Sequence, residues 1–309
     1  MKIVTLTLNP AYDLHCYAEN FQPFHENLAQ VTANEAGGKG VNISRALRAN
    51  GVESIAFVVL GAENGDGFRR ALTADGILFR TITVAGMIRE NVTLHTNNAP
   101  ETRISFAGFT ASDALIDQVE SDLESLLEHG DILTVTGRNP DGVSVNRVKS
   151  MLSALREKGV RIVLDSRSFG KQDLIDVRPW LIKPNEEEIG AYVDIDVKDF
   201  SSAKQAAEAL RTAGIENVMI SLGAKGAILC NEQGCYAVRA PKVKVLSTVG
   251  AGDSSIGGFC AAAKAGLENP DRLRYALAYG TAACMTEGTR PPRKEDVASI
   301  LEKLEVITV

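Results

Sequence analysis

Residues 131–166 read DILTVTGRNPDGVSVNRVKSMLSALREKGVRIVLDS, and the fold turns on them. Asp131–Gly137 is a short apolar, β-branched run, residues 145–159 carry a helical pattern, and Arg161–Ser166 is strand-like again. Strands that are apolar throughout and separated by a helix are parallel neighbours, buried between helical layers. The alternation recurs outward in both directions. KIVTLTL (2–8) precedes VNISRALRANG (41–51), SIAFVVL (54–60) precedes GDGFRRALTADG (65–76), and WLIKPN (180–185) precedes EEEIGAYV (186–193). Later, SAKQAAEALRTAG leads into NVMISLG, AILC and CYAVRA read as a hairpin across Asn231–Gly234, and helices over 254–265, 271–286 and 294–304 follow. The expected class is α/β, a central and mostly parallel sheet flanked by helices on both faces.

Two stretches break this rhythm. Residues 14–36 and 91–109 alternate apolar and polar positions around turn-like centres, as half-exposed antiparallel strands do. They are expected to join into a small β-sheet lid over one end of the main sheet, and the lid is the expected contact for a homodimer. No linker, repeat or low-complexity segment interrupts the chain, so residues 1–309 are expected to form a single domain.

An apolar fraction of 45% and a charged fraction of 23% belong to a soluble globular chain. The net charge of -6 argues against a nucleic-acid partner, which needs an excess of Lys and Arg, but leaves room for a small anionic ligand. No apolar run reaches membrane-span length and the chain opens directly on a strand-like run, so no membrane partner and a cytoplasmic location are expected. Five cysteines without a CxxC pair point to reduced, packed thiols, and four scattered histidines without HExxH argue against zinc.

Three clusters could carry chemistry. LSTVGAGDSSIGGF (246–259) sets Gly250, Ala251, Gly252 and then Asp253 at the mouth of a small-residue helix. Asp is a favoured helix N-cap, which alone would account for it. The catalytic reading is that bare N–H groups at a helix start hold an anion while Asp253 takes a proton from a hydroxyl attacking it, the arrangement a hydroxyl kinase requires. The run is not a dinucleotide fingerprint, because Ser255 holds the third glycine position, and no GxxxxGK[ST] occurs. AGGKGVN (36–42) combines close backbone approach with the mobile charge of Lys39 and the amide of Asn42; Asp13 is equally explained by a turn after Asn9-Pro10. In KPNEEE (183–188), Asn185 and Glu188 have capping-box spacing, and they are also oxygen groups of the kind that hold Mg²⁺ through its waters.

The ordered set GGKGVN, KPNEEE, SLGAKGA (221–227) and STVGAGDSS resembles the PfkB, or ribokinase-like, carbohydrate kinases along essentially the whole chain. The opening TLTLNPAYD and the Lys in GGKG resemble the branch that phosphorylates fructose 1-phosphate or tagatose 6-phosphate. The resemblance implies a central sheet with a β lid, and it implies roles. Asp253 would be the catalytic base and Gly250, Ala251 and Gly252 the anion hole. Asn185 and Glu188 would organise Mg²⁺ and the phosphates of ATP, and Ser221, Gly223 and Gly226 would contact the nucleotide. Asp13, Gly38 and Asn42 would meet sugar hydroxyls, while Lys39 and Arg89 would lie near a sugar phosphate. A monovalent-cation requirement stays open.

Two departures stand out. Gly137-Arg138-Asn139-Pro140 replaces the Gly-Ser-Leu-Pro run usual in the branch, and Arg103 falls near a position usually acidic. Facing inward, Arg103 and Arg138 would strengthen phosphate binding; facing outward, they are solvated. The expected activity is ATP- and Mg²⁺-dependent phosphorylation of a primary hydroxyl of a hexose monophosphate, foremost fructose 1-phosphate to fructose 1,6-bisphosphate. Tagatose 6-phosphate or fructose 6-phosphate is the runner-up acceptor. A catalytically silent sugar-phosphate-binding regulator is the alternative of another class, disfavoured by an intact Asp253, Asn185 and Glu188; a nucleoside kinase is disfavoured by Lys39.

Overall fold

The computed structural model describes residues 1–309. In chain order the backbone forms β1 (Ile3–Thr7), β2 (Ala11–Ala18), β3 (Gln30–Gly37), α1 (Lys39–Ala49), β4 (Ile55–Gly61), α2 (Gly65–Ala74), β5 (Leu78–Val84), β6 (Arg89–Thr96) and β7 (Thr102–Ser105). Then come α3 (Asp113–Leu126), β8 (Ile132–Thr136), α4 (Val145–Glu157), β9 (Arg161–Asp165), α5 (Lys171–Val177), β10 (Leu181–Ile182), α6 (Phe200–Thr212) and β11 (Asn217–Ser221). The chain closes with β12 (Ala227–Asn231), β13 (Gly234–Val238), α7 (Ala251–Lys264), α8 (Asn269–Ala283), α9 (Lys294–Leu301) and β14 (Val306–Thr308).

The main sheet runs β14-β13-β12-β11-β10-β9-β8-β1-β4-β5. It is parallel from β5 to β11 and antiparallel over its β12–β14 edge. Period-2 alternation splits β1 between two cores. Val4 and Leu6 face a layer built on α3, α4, α5 and α6, whereas Ile3 faces α1, α7, α8 and α9. Thr5 points to the second side too, where its hydroxyl shares a 2.8 Å hydrogen bond with Ser44 and so has no unpaired polar atom to bury.

The two hairpins β2–β3 and β6–β7 join through a parallel β2–β6 pair into a separate sheet of order β3-β2-β6-β7. Its strands begin at Ala11 and Arg89 and end at Ser105, and Phe109 turns back into the main core.

Several expectations need correction. EEEIGAYV, read as a helical partner to its strand, makes only a 3-10 turn over Glu188–Ala191. α3 and β5 lie outside the elements read from the sequence. The cysteines are not all free: Cys230 and Cys235 sit directly opposite each other across the β12–β13 hairpin, Cα atoms 4.1 Å apart, and form a disulfide. No CxxC marks that pair; strand register creates it. Cys16, Cys260 and Cys284 are free thiols, the first two buried. No helix is long and apolar enough to cross a membrane.

Candidate active site

From β1 the chain passes to β4 and β5 on one side, then returns to lay β8 to β11 on the other. Open α/β sheets bind ligands at such a reversal, beyond the carboxyl ends of the strands. A cavity of about 410 Å³ lies there, walled by the small sheet and the first turns of α1 and α7.

The start of α7 answers the capping question. Gly250, not Asp253, is the N-cap residue; its φ of 77° is left-handed, and no side chain caps the helix. Asp253 is the third helical residue, where a carboxylate is favoured by the dipole. It is 7% exposed and accepts a 2.9 Å hydrogen bond from Asn42 Nδ2 on α1. Burial pushes its pKa up to about 6, against the pull of Lys39 and of the Asn42 bond. The N–H groups of Gly250, Gly252 and Asp253 donate to nothing in the fold, while Ala251 N–H reaches Thr248 O at 3.4 Å. Of the predicted Gly250–Ala251–Gly252 set, the N–H groups of Gly250 and Gly252 are thus open to a ligand, and that of Asp253 is open beside them.

Lys39, the first residue of α1, pairs with Asp165 at 2.9 Å. Burial would lower the Lys39 pKa, but Asp165 and then Asp253 raise it. Burial likewise works against ionised Asp165, yet Lys183 and Lys39 hold its carboxyl below the usual range. The two buried carboxylates are thus driven apart, one held below the usual range and the other pushed up to about 6. Lys183 is 5% exposed and makes no ion pair within 4 Å. A Cβ at position 252 would come within 3.1 Å of its Nζ, so glycine there leaves room for the ammonium beside the start of α7.

On the small sheet, Asp13 sits opposite Asn91 and accepts its amide at 2.9 Å. A Cβ at Gly37 would lie 2.1 Å from Asp13 Oδ2, which fixes glycine there. Asn42 Oδ1 and Asn91 Oδ1 are buried without a hydrogen-bond donor, and both residues line the cavity. Polyol hydroxyls would supply those donors.

Asn185 and Glu188 do form the capping pattern. Asn185 Oδ1 accepts from the N–H of Glu188 at 2.7 Å, and Glu188 Oε2 accepts from Asn185 N–H at 3.2 Å. Both also line the cavity beside Gly38 and Asp165. This is an all-oxygen donor set, suited to a hard cation, without three clustered carboxylates or imidazoles to hold one unaided. It fits Mg²⁺ that arrives with phosphate oxygens and water.

Of the remaining predicted residues, Ser221, Gly223, Gly226, Arg89 and Arg138 stand apart from the cavity wall. Ser221 ends β11 and bridges to Asn185, while Gly223 (φ 53°) and Gly226 (φ 120°) shape the turn that follows. A Cβ at Gly226 would strike Val238 O, so the turn accounts for that glycine without a ligand. Arg89 is half-buried; burial lowers its pKa, Asp13 raises it, and Arg138 lowers it, which places Arg138 on the same flank. Arg138 itself is exposed. Arg103 lines the cavity from β7, lying 3.7 Å from Glu101. Sequence reasoning missed Asp165, Lys183, Asn91 and Thr289. The available signal was position: Asp165 and Lys183 are charges placed at the end of buried strands, where a structural role is hardest to supply.

A buried carboxylate at a helix start, unspent N–H groups and unpaired amide oxygens on an open α/β sheet are what a sugar kinase requires. The chain belongs to the pfkB family of carbohydrate kinases, whose pattern it matches over residues 4–296. It is 32% identical over 305 residues to the 1-phosphofructokinase of Escherichia coli K12, covering 99% of this chain and 98% of that one. It is 30% identical over 310 residues to the 1-phosphofructokinase of Bacillus subtilis, covering 98% and 99%. Among solved structures, phosphofructokinase-2 from Escherichia coli in complex with potassium superposes with a TM-score of 0.90 at 27% identity, covering 98% of each chain.

Proposed function

We propose that this protein transfers the terminal phosphoryl group of ATP to the C6 hydroxyl of fructose 1-phosphate, giving fructose 1,6-bisphosphate and ADP. The observation that carries the reading is the pairing, at the start of α7, of open N–H groups with the buried carboxylate of Asp253, whose pKa burial pushes up to about 6. The full-length resemblance to proteins named 1-phosphofructokinase supports this acceptor. In the step, the acceptor oxygen bonds to phosphorus as the bond to the ADP oxygen breaks, and its proton passes to Asp253. Gly250, Gly252 and Asp253 N–H groups and the Lys183 ammonium face the charge that develops. Asp13, Asn42 and Asn91 orient the hydroxyls, and Lys39, Arg89, Arg103 and Arg138 attract the acceptor's own phosphate. Mg²⁺ would be organised by Asn185 and Glu188 and would neutralise the nucleotide phosphates. A coupled ADP-release assay over sugars and sugar phosphates tests the reading. Highest kcat/KM on fructose 6-phosphate would favour the second reading, which has support from a phosphofructokinase-2 neighbour described in complex with that sugar at 25% identity.

Glu188→Gln keeps an oxygen for the Asn185 N–H but removes the charge. The Mg²⁺ concentration for half-maximal rate is expected to rise several-fold, and an unchanged titration would leave Glu188 only its cap. The small sheet acts as a lid: amides in 11–37 and 89–105 are expected to gain hydrogen-exchange protection when fructose 1-phosphate binds, because phosphoryl transfer needs water excluded. Identical exchange with and without sugar would make it a fixed wall. The same sheet exposes Val31 and Ile104, with Phe24, Leu28 and Phe106 in its flanking loops, an apolar surface that supports a homodimer. A phosphofructokinase-2 neighbour described in complex with potassium, at 27% identity, supports a monovalent-cation site, and a cytoplasmic location completes the proposal.

A further inference from the structure

Arg167 lies two residues beyond Asp165, in the loop after β9, and its side chain is 72% exposed. Its Nε donates to Glu188 Oε1 at 3.0 Å. The two Nη groups form no hydrogen bond, so most of the guanidinium's donors are unspent. An exposed ion pair of this kind adds little to stability, since solvent screens it and holding two side chains costs entropy. The pair does, however, fix the direction of the guanidinium. It stands beside the recess lined by Asp165, Lys183 and Glu188, next to the groups assigned above to the nucleotide phosphates. Lys39, paired with Asp165, is assigned above to the acceptor, and Lys183 is one compact charge. A planar fork with free donors is the group that grips phosphate oxygens at more than one point.

We propose that Arg167 is a nucleotide-phosphate clamp, oriented by Glu188 through Nε and gripping the β- and γ-phosphate oxygens of ATP with its Nη groups. The inference rests on the kinase reading and adds to it a residue and a division of substrates: Arg167 serves the donor, not the acceptor. It also gives Glu188 a second task, aiming Arg167.

The test is calorimetric binding of ATP, ADP and AMP to the full chain in the wild type, Arg167→Ala and Arg167→Lys, together with steady-state kinetics. In Arg167→Ala, affinity for ATP and ADP is expected to fall about 10-fold or more, while affinity for AMP stays within twofold. KM for ATP should rise accordingly and KM for fructose 1-phosphate should not move. Arg167→Lys should recover part of the ATP affinity, as a point charge without the fork. Equal losses for ATP and AMP, or unchanged ATP affinity in Arg167→Ala, would overturn the proposal. A wild type that binds none of the three nucleotides overturns the kinase reading itself, a result separable from the variant comparison. The high exposure of Arg167 predicts unchanged melting temperatures, which exclude misfolding as the cause.

Discussion

Asp253→Asn should lower kcat by about 10² to 10⁴ while leaving ATP binding nearly intact, the usual worth of a positioned general base. Asn preserves the size of the side chain and can still accept the amide of Asn42. The helix start is also preserved, because Gly250 and not Asp253 supplies the cap. The wild-type kcat/KM should fall about tenfold per pH unit below pH 6, where the carboxyl holds its proton. The same variant should gain stability. Because the folded pKa of Asp253 is raised from 3.8 to about 6, its stabilising contribution is present below pH 3.8 and is lost as pH rises through 6. Above that point the buried charge strains the fold, and Asn removes it. Thermal unfolding at pH 7.5 should show Asp253→Asn more stable, on the order of 1–3 kcal/mol, with the gain shrinking toward pH 4. Turnover within a few-fold of wild type would return Asp253 to a packing role.

Hexose monophosphates should be used at least about 10²-fold better, in kcat/KM, than the corresponding free hexoses, as one or two charge-assisted contacts would give. The positive charge needed for this is assembled from separate elements. Lys39 opens α1, Arg89 opens β6, Arg103 lies on β7, and Arg138 follows β8. The nucleotide already has the N–H groups of α7 and Lys183, so these four cations would be surplus for a neutral acceptor. Arg89→Gln should raise KM for fructose 1-phosphate about 10- to 100-fold and leave KM for ATP nearly unchanged. Lys39→Met should do likewise, with an added loss in kcat because Asp165 then lacks its 2.9 Å partner. Equal activity on free fructose would leave the four cations without an acceptor phosphate to bind and overturn the expectation.

Much of the architecture was legible because parallel strands buried on both faces must be continuously apolar. β1, β4, β8, β9 and β11 announce themselves that way, and the helices between them carry the period that covers the sheet. β5 was harder to see, for Leu78 and Arg80 point to solvent at the sheet's edge. The helical reading of EEEIGAYV failed for a local reason. Asn185 and Glu188 satisfy each other's backbone N–H groups within a single turn, and no longer helix is needed to satisfy them.

The sequence by itself determined the layers, the glycine turns at both ends of the site and the placing of chemistry at 36–42, 183–188 and 250–253. It did so because backbone geometry and burial are dictated by residue type and near neighbours. Only the tertiary structure decided the electrostatics. Asp253 and Asp165 are both aspartates beside apolar runs, yet one is pushed up to about 6 and the other is held low, since Asp165 has Lys39 at 2.9 Å and Lys183 nearby, while for Asp253 burial outweighs a more distant Lys39 and the Asn42 amide. The disulfide, the open position of the anion site and the Arg167–Glu188 pair are of the same kind. Each depends on distances between residues that strand order and register bring together, and a pKa or an ion pair falls off too steeply with distance for spacing along the chain to fix it.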